Sequence, residues 1–253
     1  MRNRRISALC IKMSSVKSPT QSPEAAMEAD IPLSEVAYRR LHQAIVRCEV
    51  EPGQRLRVDE LSRQYEISSS PLREALSRLA EQGLVQAFEN RGFHVSPLTV
   101  EGIADLTRVR LLVESEALRD AMANGSDQWE SNLVAAAHHL SLIEQRLSTG
   151  PMVLEEGWSR RHRAFHMAIY AGATSPLLLR LVAALFDNAE RFRHYSARHR
   201  KIERNKTAEH QRLLAAVLAR DEVKALGLLR HHISSTERNV TESLLHIAGG
   251  TIQ

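Results

Sequence analysis

Cysteine is scarce in this chain of 253 residues, which contains only Cys10 and Cys48. Two thiols are too few for the disulfide framework that stabilises small secreted domains. Cys48 is predicted to lie on the inner face of a helix over residues 34–49. The cysteine content therefore favours a reducing compartment, and we expect the protein in the cytoplasm.

Long apolar runs are also lacking. The longest apolar stretches, near residues 177–186 and 213–219, are interrupted by Arg180 or are simply short, whereas a membrane-spanning helix needs about 20 apolar residues. Residues 1–29 are basic but lack the apolar core of a signal peptide. We therefore predict no membrane segment, and we expect residues 1–29 to form a disordered tail.

A strong excess of charge is absent as well, since the formal net charge is only +4. The N-terminal tail supplies much of that excess, so charge alone does not argue for a nucleic-acid partner. Aromatic residues make up 4% of the chain, so the core is expected to consist mainly of Leu, Val, Ile and Ala. The length favours a small domain followed by a larger one.

The first domain, over residues 30–97, is predicted to be a winged helix-turn-helix. Apolar residues recur at helical spacing over 34–49 and over 58–65, and in a third helix that Ser69 or Ser70 is predicted to cap and that ends before Gly83. The period then changes to that of a short two-stranded hairpin, with a turn over 89–92. Three helices followed by a hairpin are typical of this DNA-binding fold.

The second domain, over residues 98–248, is predicted to be an all-α antiparallel helical bundle, so the fold class is mainly α. Its pattern shows no convincing strand, and Gly125, Pro151, Gly172 and Pro176 lie at breaks between helices. The predicted helices cover about residues 100–123, 128–148, 152–171, 176–196, 203–220 and 222–246.

The third helix carries small polar and basic residues on its predicted outer face, where a major groove would meet them. The candidate DNA-binding residues are Ser69, Ser70, Arg73 and Ser77 on that helix, and Arg91 and Gly92 on the wing. Each residue alone fits an ordinary solvated position equally well. The order of helix, turn, helix and basic hairpin favours DNA.

Residues 33–96 resemble the DNA-binding domain of the GntR regulators. The resemblance rests on Pro52-Gly53 with Leu56, Ser70-Pro71-Leu72-Arg73-Glu74-Ala75-Leu76, Leu79, Gly83-Leu84-Val85 and Arg91-Gly92-Phe93. It implies that Arg73 and the residues before it contact operator DNA, and that Gly92 lets the wing approach the DNA backbone. Ser69 stands where many members carry Arg, and Asp59 stands where another basic residue is common.

Four histidines lie on the apolar stripes of their predicted helices: His162, His166, His210 and His232. His162 and His166 are four residues apart, so they project from nearly one face of a helix. Buried imidazoles need partners, and a divalent metal would satisfy all four. The alternative is that some are core histidines bonded to backbone or carboxylate groups. Neighbouring His231 is predicted to face solvent.

The same region resembles the FadR-type ligand domain (FCD) of GntR regulators, and the whole pattern is most similar to the carbon-starvation regulator branch. The motifs are His162-Arg163-Ala164-Phe165-His166, Glu209-His210 and His232-Ile233, with Arg110, Glu114 and Asp105-Leu106-Thr107. Many members bind a metal through an Asp and three His, and His162 occupies the Asp position. The resemblance therefore implies a metal held by four imidazoles, with zinc or nickel as the ions that suit them.

The resemblance also implies a small carboxylate effector beside the metal, with Arg110 as its counter-charge. Arg110 can instead form a structural salt bridge with Glu114, one turn away. The prediction is thus a homodimeric transcription regulator, a repressor rather than an enzyme. The alternatives are a metal-dependent hydrolase with Glu209 as base, and a purely architectural DNA binder.

Overall fold

The computed structural model describes residues 31–89, 91–146, 155–199 and 207–250. The tail expected over residues 1–29, with Cys10, lies outside the described residues. Leu33–Gln253 cluster as one compact unit. No helix in the described ranges is both long enough and apolar enough to cross a membrane.

The N-terminal part begins with three helices. They are α1 (Leu33–Val46), α2 (Val58–Tyr65) and α3 (Ser69–Glu81). Each buries one apolar stripe, and Leu41, Leu72 and Leu76 are fully buried where α1 packs against α3. This interhelical packing leaves the opposite face of α3 toward solvent.

A three-stranded antiparallel sheet completes this part, in the order β1-β3-β2. The strands are β1 (Arg55–Leu56), β2 (Val85–Phe88) and β3 (Gly92–Val95), and the predicted hairpin pairs Val85 with Val95. The sequence pattern did not indicate β1, because two residues are too few to show an alternating period. The fold is a winged helix-turn-helix with one strand more than predicted.

Cys48 lies outside the helix that was predicted to contain it. Helix α1 ends at Val46, before Cys48, which adopts a left-handed backbone with φ of 52°. Its side chain is nevertheless buried, and Sγ donates to the backbone oxygen of Arg191 at 3.4 Å. Burial raises the pKa of the Cys48 thiol to about 11, so it is protonated at neutral pH.

The remainder of the described chain is helical, as predicted. Its helices are α4 (Val100–Asn124), α5 (Asp127–Arg146), α6 (Glu156–Tyr170), α7 (Pro176–His199), α8 (Thr207–Leu218) and α9 (Glu222–Gly250). They surround a core in which Phe165, Ile169 and Tyr170 of α6 are fully buried. Helix α6 therefore packs one apolar face into the core of the bundle.

The turn between α4 and α5 requires a glycine, and this requirement is testable. A Cβ atom at Gly125 would lie 2.2 Å from Cε3 of Trp129 and 2.6 Å from the backbone oxygen of Ala121. We expect Gly125→Ala to lower the free energy of unfolding by about 1–3 kcal/mol through overpacking. Denaturant unfolding monitored by circular dichroism measures it.

Gly227→Ala is the matched control. Gly227 lies in α9, and a Cβ atom there meets nothing within 4 Å. Because alanine favours a helix over glycine, this variant should gain up to about 1 kcal/mol. Equal effects of the two substitutions would contradict the packing described for Gly125.

Candidate DNA interface and metal centre

The outer face of α3 carries the predicted DNA-binding residues. Ser69, Ser70, Arg73 and Ser77 are all exposed, whereas Leu72 and Leu76 point into the core. Ser69 and Ser70 lie in the first turn, and the N-cap position expected for one of them belongs to Ser68, whose side chain makes no capping hydrogen bond. First-turn backbone N–H groups have no partner within a helix, so this end of α3 can donate to phosphate oxygens.

The wing presents its tip beside two further arginines. Arg91 and Gly92 are exposed at the turn between β2 and β3, and Gly92 has a φ of +79°, which favours glycine. Arg55 and Arg57, which sequence reasoning did not single out, are also exposed at and just after β1. Only their position flanking the buried Leu56 could have indicated them.

The four predicted histidines meet inside the helical bundle. His162 and His166 come from α6, His210 from α8 and His232 from α9, and each is at most 4% exposed. One ring nitrogen of each lies within 4.8 Å of a ring nitrogen of every other. Three helices thus place four nitrogen donors around one point.

Several of these nitrogens lack partners, which is the test of whether a metal fits. Within the described chain, Nδ1 of His162, Nδ1 of His166 and both ring nitrogens of His210 have no hydrogen-bond partner. The Nε2 atoms of His162 and His166 are 3.2 Å apart, and a tetrahedral zinc ion holds its nitrogen ligands about 3.3 Å apart. The four imidazoles therefore fit a divalent ion.

Two carboxylates stand behind the imidazoles. Glu209 Oε2 lies 3.0 Å from His232 Nδ1, and Glu144 Oε1 lies 3.5 Å from His210 Nδ1 without hydrogen-bond geometry. Trp158 Nε1 donates to the same Glu144 oxygen. Carboxylates in this position orient metal-binding imidazoles and offset the charge of the ion. Sequence reasoning missed Glu144, and it considered Glu209 only as a hydrolytic base.

The apolar surroundings keep the paired imidazoles of α6 neutral. The Trp158 ring stacks on His162 at a centroid distance of 4.3 Å, and Phe186 of α7 lies 5.3 Å from His166. Burial lowers the pKa of His162 and of His166 well below the ordinary value, and the neighbouring imidazoles add to the effect. Neutral imidazole is the form that binds a metal.

Arg110 forms the salt bridge with Glu114 that the sequence allowed as an alternative to effector binding. Its Nε donates to Glu114 Oε1 at 2.5 Å and its Nη2 to Glu114 Oε2 at 3.3 Å, while the Tyr170 hydroxyl donates to the same carboxylate. Burial by itself lowers the pKa of Arg110, but the Glu114 charge outweighs it and the pKa is raised. Among the described residues, Arg110 Nη1 forms no hydrogen bond. That edge remains able to bind an anion.

A second group of charges lies near the cluster on α7. Arg193 pairs with Glu190 and stacks its guanidinium 4.6 Å from the Phe186 ring centre. His194, which received no role from sequence spacing, is buried 3.6 Å from Glu190. His138, His139 and His231 are exposed, as predicted for His231.

Together, the winged helix-turn-helix and the helical domain that follows it are those of a DNA-binding transcription regulator. Residues 33–95 match the model of the bacterial regulatory proteins of the gntR family, and residues 105–235 match the FCD domain. The chain therefore belongs to the GntR family and carries an FCD domain.

Named relatives agree with this assignment. The chain is 37% identical over 204 residues to the uncharacterized HTH-type transcriptional regulator BphR of Paraburkholderia xenovorans, covering 81% of this chain and 83% of that protein. It is 37% identical over 200 residues to the HTH-type transcriptional repressor GlaR of Escherichia coli, covering 78% and 90%. Escherichia coli McbR/YncC shares the fold with a TM-score of 0.70 at 22% identity, over 84% of this chain and 98% of that one.

The buried imidazoles predict a pH dependence of stability in the metal-free protein. Because the folded-state pKa of His162 and His166 is lowered, only the unfolded chain takes up these protons as the pH falls below about 6.5. Stability is thus present above that pH and is lost below it, by up to about 1.4 kcal/mol per pH unit for each imidazole. Calorimetry in EDTA between pH 7 and 5 measures the slope.

Replacing both histidines isolates their contribution to the pH dependence of stability. We expect the double variant His162→Leu, His166→Leu to flatten the slope, and the exposed control His138→Gln to keep it. A slope in the double variant equal to that of the unchanged chain would show that these two groups do not resist protonation.

Proposed function

We propose that this protein is a metal-loaded, homodimeric repressor whose operator binding responds to a small carboxylate. The observation that carries the proposal is the meeting of four buried imidazoles inside the same compact unit that exposes the outer face of α3. A purely architectural DNA binder would need no such cluster. The protein is proposed to act in the cytoplasm, with residues 30–97 binding DNA and residues 98–248 sensing and dimerising.

The metal is proposed to be zinc or nickel, held by His162, His166, His210 and His232. Nitrogen donors suit both ions, and the set contains no soft sulfur ligand. His232 would bind through Nε2, because its Nδ1 faces Glu209. The bound ion would supply a Lewis-acidic positive charge next to the effector.

The effector is proposed to be a small carboxylate bound beside the cluster. Arg110 is buried and close enough to His166 to affect its pKa, so one carboxylate could contact the Nη1 edge of Arg110 and face the metal. A 37% identical relative is named as a repressor, which supports the same sign of regulation here. The proposal places the chain in the carbon-starvation regulator branch.

Dimerisation is proposed to occur through the helical domains. Leu177 and Leu181 of α7 are exposed at a cleft that Glu116 and Arg119 of α4 also line, and exposed leucines of this kind favour a subunit contact. A two-fold dimer would present two α3 helices to half-sites about 34 Å apart, or to a compressed arrangement.

The hydrolase alternative loses its base in this arrangement. Glu209 contacts Nδ1 of His232, which suits a carboxylate that orients a ligand. The family and its named relatives are regulators. We therefore favour a sensor role for the metal.

Metal binding is tested by titrating zinc into the metal-free full chain with isothermal calorimetry. We expect one zinc per chain, because the four donors surround one point. His210→Ala should weaken binding by more than about 100-fold, whereas Glu209→Gln should weaken it by about 10- to 100-fold by loosening His232.

His231→Ala is the control for zinc binding, since His231 adjoins His232 but is exposed. It should bind zinc as the unchanged chain does. Equal affinities of the His210 and His231 variants would remove these four histidines from the metal site.

DNA recognition is tested by Arg73→Ala. We expect operator affinity to fall by about 5- to 150-fold at fixed salt, as when one side chain loses a base or phosphate contact. Fluorescence anisotropy with a duplex selected from a random pool by the unchanged protein measures this.

Arg108→Ala is the matched control, because Arg108 is an exposed arginine of α4 paired with Asp105. It removes the same charge without touching α3 and should leave affinity unchanged. Intact binding after Arg73→Ala would exclude α3 as the recognition helix proposed here.

A further inference from the structure

Helix α7 lies between the histidine cluster and the DNA-binding domain and contacts both. Phe186 packs against the cluster, with its ring centre 5.7 Å from that of His162. Asp187, the next residue, points about 100° away around the helix and contacts the DNA-binding domain instead. One helix thus carries adjacent side chains that face the two functional regions.

Asp187 joins the metal-binding helix to the first helix of the DNA-binding domain. Arg163 of α6 donates to it through Nε at 2.8 Å and through Nη2 at 3.2 Å. His42 of α1 places Nε2 3.2 Å from Asp187 Oδ2. Burial by itself raises the pKa of Asp187, but the contacts with His42 and Arg163 outweigh it and lower the pKa, so the carboxylate is charged at neutral pH.

The same helix also holds the ends of α1 and α3. Asn188 Nδ2 donates to the backbone oxygen of Gln82, just after α3, at 2.9 Å. Arg198 donates to the backbone oxygens of Arg47 and Cys48, just after α1, each at 2.9 Å. Carbonyls at helix ends lack partners within the helix, so these bonds fix both helices on α7.

One contact at this junction is poorly satisfied. Arg191 is 2% exposed and donates through Nη2 to the backbone oxygen of Ser96. Its Nε has no hydrogen-bond partner, and no carboxylate of the described chain pairs with it. Burying a cation without a countercharge costs free energy. A junction that bears such a cost is suited to a second arrangement of its contacts.

We propose that Asp187 is a positioning residue that couples the histidine cluster to the DNA-binding domain. Through Arg163 and His42 it makes the placement of α1 and α3 depend on the placement of α6. The inference rests on the proposed function, because it assumes that the cluster holds a metal and that α3 binds an operator.

The physical reason lies in the position of Arg163, which directly follows His162 on α6. A metal bound by all four histidines would fix α6 relative to α8 and α9. Arg163 would then hold Asp187 in one place, and His42 would follow. Coupling of this kind is reciprocal, so zinc should change operator affinity by the same factor by which operator changes zinc affinity.

The test measures operator affinity of the full chain with and without saturating zinc alone, using a duplex selected by the unchanged protein. The ratio of the two dissociation constants is compared among the unchanged chain, Asp187→Asn and the control Asp105→Asn, which breaks an exposed pair with Arg108. We expect a ratio different from one in the unchanged chain and the control. Asp187→Asn should move it toward one by at least about threefold, with zinc affinity unchanged in the absence of DNA.

His42→Ala is a second test variant, because it removes only the contact of Asp187 with the DNA-binding domain. It provides the test if Asp187→Asn fails to fold. It should shift the ratio in the same direction. The coupling would be overturned if both variants kept the ratio of the unchanged chain. It would also be overturned if the unchanged chain bound both zinc and duplex with a ratio of one. Neither result would contradict the proposed function. Failure of the unchanged chain to bind zinc or any selected duplex would instead refute the proposed function, and this inference with it.

Discussion

The helical domain is arranged around one constraint, which is the burial of four imidazoles at one point. Their ring nitrogens outnumber their protein partners. They come from α6, α8 and α9, so these three helices must converge there. A buried polar group left without a partner costs about 1–3 kcal/mol. The domain accepts this cost at several ring nitrogens at once, and a divalent ion would bind one nitrogen of each imidazole.

The charges around the cluster follow from the same constraint. Arg110 and Arg193 are each matched by a glutamate of their own helix, so they leave little net charge. Glu144 lies behind His210 and Glu209 lies behind His232, at 3.5 Å and 3.0 Å between carboxylate oxygen and Nδ1. Carboxylates in this position would offset the charge of a divalent cation held by the imidazoles, which favours a metal at this site.

Helix α7 contacts both the histidine cluster and the DNA-binding domain. Its Phe186 borders the imidazoles, while Asp187, Asn188 and Arg198 hold the domain that carries α3. These contacts are hydrogen bonds and ion pairs more than apolar packing. Such a junction can exchange one set of partners for another at a modest cost in free energy, as a regulatory connection requires.

The sequence predicted the fold and the convergence of the histidines because both depend on periodicity. His162 and His166 share a helix face through their four-residue spacing, and the stripe of α3 separates Leu72 from Arg73. The short strand β1, the left-handed turn at Cys48 and the N-cap at Ser68 escaped prediction, since each depends on one or two residues. Glu144, Asp187 and His42 could not be assigned either, because their partners are distant in sequence and pairings of that kind are set by helix packing.

The central claim is that four nitrogens of this chain bind one metal ion. X-ray absorption at the zinc edge of the zinc-loaded full chain tests it most directly. The account predicts a first shell of nitrogen donors at about 2.0–2.1 Å with the multiple-scattering features of four imidazoles, extended only by an oxygen when a carboxylate is present. A shell containing sulfur, or one with fewer than four imidazoles, would contradict it.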